Sequence, residues 1–149
     1  MEMKLTTTLH RLRIAEACTR GYEKLKKAIG DDFPDDRPIN LLTILESNGL
    51  DDALWALRAT VEDCDKVARL MAADFAEQVL PLWRAYSENK APELAIKAAR
   101  DYAHRRITKK ELIAAAGAAG AALAAAGAAG AAARQKQREI FIGYLQEEQ

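Results

Sequence analysis

An all-α fold, one bundle of six or seven helices within a single domain of 149 residues, is what this sequence predicts. Three observations predict it. Apolar residues recur at spacings of three and four almost throughout the chain, the signature of helices with one buried face. No run of alternating β-branched or aromatic residues reads as a strand. Finally, Leu112–Ala133 reads LIAAAGAAGAALAAAGAAGAAA, a segment with no charged side chain, and alanine is the best helix former. With methyl groups and bare backbone on its surface, that segment admits very close neighbours, and it is expected as the central helix of the bundle.

The elements follow in order. A first helix is expected over Thr7–Ile29. Threonines precede it as caps and Gly30 follows it as a stop. Its stripe is Leu5, Leu9, Leu12, Ala15, Cys18, Tyr22, Leu25 and Ile29. Gly21 interrupts it at a cost of about 1 kcal/mol. A loop, GDDFPDDR, spans Gly30–Arg37. Pro38 suits the first position of a helix, where its missing N–H is not needed. That helix covers Ile39–Ser47 and stops at Asn48-Gly49. A third, Asp51–Ala59, turns Leu54, Leu57 and Trp55 inward.

The fourth helix begins near Asp63, with Cys64, Val67, Met71, Phe75, Val79, Leu82 and Tyr86 as its stripe and Leu70 beside it. Pro81 removes a hydrogen bond and crowds the carbonyl four residues back, so a kink or a tight restart is expected there. Pro92 opens a fifth helix, to about Arg106, with Leu94, Ala98, Ala99 and Tyr102 on one side. Thr108 and Glu111 have capping-box spacing before the sixth helix. If unbroken to Glu147, that helix would run roughly 58 Å at 1.5 Å per residue. A compact globule of this chain length is only about 38 Å across. Gly127 and Gly130 are therefore candidate breaks, or REIFIGYLQEEQ folds back as a separate helix on Ile140, Phe141, Tyr144 and Leu145.

Gly117 and Gly120 recur ten residues on as Gly127 and Gly130, and at 100° per residue the four share one broad face. Glycine costs about 1 kcal/mol against alanine in a helix, so close packing must offset it. Packing inside the bundle is the first expectation, and self-association through this face, giving a homodimer or assembly, is the alternative.

Chemistry is sparse. Lys plus Arg equals Asp plus Glu, for a net charge of zero. No global field therefore draws in nucleic acid or an anionic membrane, and mimicry of DNA is disfavoured. Strong membrane formers are too few in the alanine stretch for a transmembrane helix. The N-terminus shows no apolar secretory signal, so a cytoplasmic location is expected. Cys18 and Cys64 lack metal-ligand spacing and are expected as core thiols. His10 and His104 have no ligand partners in sequence. GAAGAAL follows no strand, so it is not a phosphate loop. Neither a catalytic residue nor a metal or other cofactor is expected, and the chain reads as a non-enzyme.

Two charged clusters stand out. Asp31, Asp32, Asp35 and Asp36 place four acids in six positions without the glycine or closing glutamate of a calcium loop. They are the candidate contact for a basic partner surface, against the alternative of a solvated loop that caps the next helix. The basic cluster His104, Arg105, Arg106, Lys109 and Lys110 suits a helix C-terminus.

Several segments also carry a family resemblance. LDDALWALRATVEDCDKVARLMAADFAEQVLPLW is followed by APELAIKAARDYAHRRITKKELIAAAGAAGAA. The order is an ALW-LR segment, a FAEQVLPLW helix, an AI-x-AAR-x-YA helix, then K-x-EL opening an alanine run. Over about Leu50–Ala133 this resembles the small alanine-rich helical immunity proteins of bacteria and prophages, the Imm5 type, with Trp55, Arg58 and Arg69 matching the pattern. The resemblance implies a non-enzymatic protein that binds and neutralises another protein, a toxin or nuclease, by steric occlusion. A phage-encoded inhibitor of a host defence complex, of the anti-CRISPR type, is the alternative within that class.

Overall fold

The computed structural model describes residues 5–85, 88, 90–116 and 130–146. These are mostly helical: α1 (Leu9–Ile14), α2 (Thr19–Ile29), α3 (Leu41–Asn48), α4 (Leu50–Ala56), α5 (Asp65–Arg84), α6 (Ala91–Ala103), α7 (Lys109–Ala116) and α8 (Gly130–Gln146), with a 3-10 turn at Leu57–Ala59. A short antiparallel pair joins β1 (Thr6–Thr7) to β2 (Ile39–Asn40), with Thr6 opposite Asn40 and Thr7 opposite Ile39. The described residues divide into two compact units, the first within residues 1–64 and 145–149 and the second within residues 65–144.

In the first unit the expected 23-residue opening helix is in fact two. After Ile14 the chain turns at Glu16, which adopts a left-handed φ of 63°. There Ala17 N–H donates to Leu12 C=O and Glu16 N–H to Arg13 C=O. This pair of bonds closes a helix whose residue after the cap is left-handed. Cys18 then caps α2, its Sγ accepting from Gly21 N–H. Thr8 caps α1 as expected, accepting from Arg11 N–H.

The same closure recurs in the second unit after α6. Arg105 has φ 59°, Arg106 N–H donates to Asp101 C=O and Arg105 N–H to Tyr102 C=O. Both positions hold a side chain where glycine is the usual residue. Glu16→Gly and Arg105→Gly are each expected to raise stability by about 0.5–1 kcal/mol, the strain of left-handed backbone removed. Thermal unfolding checks this; a loss of stability in both would mean these side chains hold something beyond their turns.

Thr6 and Thr7, expected as helix-start residues, instead form β1. The Thr7 hydroxyl, fully buried, donates to Ala59 C=O at 2.6 Å. Thr6 N–H and Oγ1 both donate to the Glu62 carboxylate, each at 2.7 Å. Pro38 does not open a helix, because the next two residues are taken by β2. Asn40 caps α3 in its place, its side chain accepting from Leu42 N–H at 2.9 Å. Gly30 and Gly49 do end α2 and α3, at φ 99° and 94°. The core of this unit is Leu5, Leu9, Leu12 and Leu25 against Ile39, Leu41, Ile44, Leu45 and Leu50. Helix α4 buries Ala53 and Ala56, while Leu54, Leu57 and Trp55 are half-buried.

In the second unit α5 continues through Pro81 to Arg84. It buries Val67, Met71, Ala73 and Val79, whereas Leu82 is exposed. Helix α6 starts with Pro92 in its first turn and packs on α5 and α7. Its buried face is Pro92, Ala95, Ile96 and Ala103. Leu94, expected inward, is 61% exposed. Thr108 accepts from Glu111 N–H at the start of α7. In α8, Phe141 and Leu145 are buried and Ile140 and Tyr144 half-buried, the face expected of the C-terminal piece. The expected central helix lies largely outside the described residues, as does Tyr86. Within it, α7 extends to Ala116 and α8 begins at Gly130.

Candidate functional site

The acidic loop between α2 and β2 is organised around one carboxylate. Asp35 takes both Nη groups of Arg13 in a two-pronged ion pair, lies 3.7 Å from His10 Nδ1, and its C=O accepts from His10 N–H at 3.1 Å. Arg13 also donates to the Tyr22 hydroxyl at 2.8 Å. The guanidinium holds the Asp35 carboxyl below its ordinary range, and Asp35 with Tyr22 raises Arg13 in turn. Two turns brace the loop, Phe33 N–H to Gly30 C=O and Arg37 N–H to Pro34 C=O, and the Arg37 guanidinium lies 5.4 Å from the Phe33 ring centre.

Asp31, Asp32 and Asp36 are exposed. The four acids expected as one contact thus divide: Asp35 secures the loop to α1, and the other three carboxylates face solvent. A two-pronged carboxylate–guanidinium pair fixes orientation as well as distance. The sequence could not separate these roles, because Arg13 lies 22 residues from Asp35.

Of the glycines expected to form a packing or self-association face, Gly117, Gly120 and Gly127 lie outside the described residues, and Gly130 is the first residue of α8. Cys18, expected in the core, is exposed at the head of α2; Cys64 is half-buried in the turn before α5, where its thiol donates to Leu57 C=O at 3.2 Å. His10 and His104 are both exposed. In the second unit one ion cluster joins α5 and α6. Arg100 donates to Asp74 at 2.7 Å and to both oxygens of Glu77, and Tyr144 O–H donates to the other oxygen of Asp74. That arrangement holds Glu77 below the ordinary glutamate range and ties α8 to α5.

A feature absent from the sequence reading is a cleft of about 250 Å³ bounded by α2, α3 and α4 in the first unit. Leu12, Leu25, Ile44 and Ala56 make its apolar walls, with the Trp55 ring alongside. Asn48, Asp51 and Asp52 supply its polar edge. Asn48 Nδ2 donates to Asp52 Oδ2 and to Gly21 C=O, both at 2.8 Å. A Cβ at position 21 would lie 2.9 Å from Asp52 Oδ2 and 3.2 Å from Cys18 Sγ. Gly21 is therefore where α2 lets the α4 carboxylate come against its backbone. A lone glycine inside a helical pattern was the available signal, since its cost to the helix needs a packing reason to offset it.

Among the described residues no group of three metal-ligating side chains comes together, and no helix is long and apolar enough to cross a membrane. Comparison with protein-family models, curated proteins and solved structures gives no match.

Proposed function

We propose that this chain is a non-enzymatic inhibitor that binds another protein, a toxin or nuclease, and occludes its working surface, as the immunity-type resemblance implies. The observation supporting this reading is the braced acidic loop. Asp35 is engaged by Arg13 and His10, so the outward carboxylates of Asp31, Asp32 and Asp36 ride on a backbone that is already ordered. A loop ordered before contact loses little conformational entropy on binding, which leaves more of the interaction energy as affinity. Carboxylates at the rim of an interface attract a basic surface and speed encounter.

The test begins with recovery of the partner from bacterial lysate on the tagged chain. The triple substitution Asp31→Lys, Asp32→Lys, Asp36→Lys is then compared with the unaltered protein against that partner. Association is expected to slow at least tenfold, with a flatter salt dependence, while the helical content is unchanged. Asp35 is left in place. Reversing its charge would set a new cation against Arg13, and against His10 when protonated, and so confuse lost structure with lost contact. Equal association rates for the two proteins would remove the loop as the contact. Recovery of the chain alone as a stable oligomer would favour self-association instead.

A further inference from the structure

The cleft between α2, α3 and α4 carries an inference independent of the loop. Its lining of twelve residues includes two acids and no lysine, arginine or histidine. Asp52 is half-buried. Its carboxylate accepts from the Asn48 amide at 2.8 Å, and no cation pairs with it among the described residues. The Asn48 bond occupies Oδ2 and, with the absent Cβ at Gly21, sets where that carboxylate stands. Four other carboxylates, those of Asp35, Glu77, Glu93 and Asp101, each have a basic partner. Asp52 sits instead at the end of an apolar trough.

We propose that this cleft is a binding site for a small organic cation: an aliphatic or aromatic body against Leu12, Leu25, Ile44 and Trp55, with a protonated amine at Asp52. Binding sites of this kind are mostly apolar, with a few placed polar groups that fix orientation. An amine meeting a carboxylate beside low-dielectric walls forms a charge-assisted hydrogen bond, stronger than a neutral one. Charge complementarity chooses the ligand: an anion of the same shape would meet Asp52 with like charge. The Cys18 thiol, which also lines the cleft, reports on occupancy.

The probe is 2-phenylethylamine, with 3-phenylpropionate as its anionic counterpart and 2-phenylethanol as the neutral one. Thiol modification by methyl methanethiosulfonate is followed at Cys18 and Cys64 separately by peptide mass spectrometry. The amine is expected to slow modification of Cys18 at least fivefold at saturation and to leave Cys64 unchanged. The carboxylate should have no effect, and the alcohol should bind at least tenfold more weakly than the amine. Asp52→Asn is expected to remove the preference for the amine while the far-ultraviolet circular dichroism is unchanged. Absence of protection by the amine, or equal protection by all three probes, overturns the proposal. The ranking on the unaltered chain decides the matter alone if Asp52→Asn fails to fold.

Discussion

Leu45→Ala is expected to destabilise the first unit by about 2–5 kcal/mol, the range for removing a buried leucine side chain and leaving a cavity. Leu45 is 1% exposed on α3, the helix that packs on both α2 and α4. The loss has two parts, the transfer of the isobutyl group to water and the void that rigid neighbours fail to fill. The unit is small, and natural domains have only about 5–15 kcal/mol in all, so the variant stands close to unfolding. Urea unfolding followed by circular dichroism measures it, with Glu46→Ala as the surface control, expected within about 0.5 kcal/mol of the parent. A loss under about 1 kcal/mol for Leu45→Ala, well below the buried-leucine range, would show that α3 is not the wall between its neighbours.

The second large effect is expected at Phe141, fully buried on α8. Phe141→Ala should cost about 3–5 kcal/mol, the range for a buried aromatic. Among the described side chains of α8 only Phe141 and Leu145 are buried, so few others can take over its packing. Amide hydrogen exchange gives the local readout: α8 should lose protection ahead of α5. Tyr144→Phe is the graded comparison. It keeps the ring and removes only the O–H that donates to Asp74, a change of about 1 kcal/mol. If Phe141→Ala and Tyr144→Phe cost the same, the ring at 141 is not the anchor of this helix.

Helix stops and caps were the most legible features of the chain. Gly30 and Gly49 end α2 and α3, Thr8 caps α1, Pro92 starts α6 and Thr108 caps α7. Each acts through an atom present or missing within a few residues: an absent Cβ, an absent N–H, a hydroxyl within reach of a backbone donor. The helical faces were less legible. On α6 the short residues Ala95 and Ala103 are buried and Leu94 is exposed, because the spacing along a helix leaves the choice between neighbouring faces to what packs on it. Ranking residues by hydrophobicity favours the leucine; close packing against α5 and α7 favours the alanines.

The candidate sites were legible only in part. The acidic loop was visible as composition, yet its division into one bracing and three outward carboxylates depends on Arg13 and His10. The cleft left a single trace, Gly21 inside a helical stripe, and its chemistry needs Asn48 and Asp52 from across the unit.

By itself, then, the sequence determined that this chain is helical, where several helices begin or end, and that Phe141 and Leu145 turn inward. Those outcomes follow from backbone sterics and apolar periodicity, both set over a few turns. Tertiary structure alone decided that the first helix breaks at Glu16, that Thr6–Thr7 pair with Ile39–Asn40, and that Asp52 comes to rest against Gly21. Each rests on partners about 30 to 56 residues apart, or on a left-handed residue tolerated because the packed chain must turn there. Local propensity cannot encode such pairings; the burial of Leu5, Leu9 and Leu12 in the core of the first unit selects them.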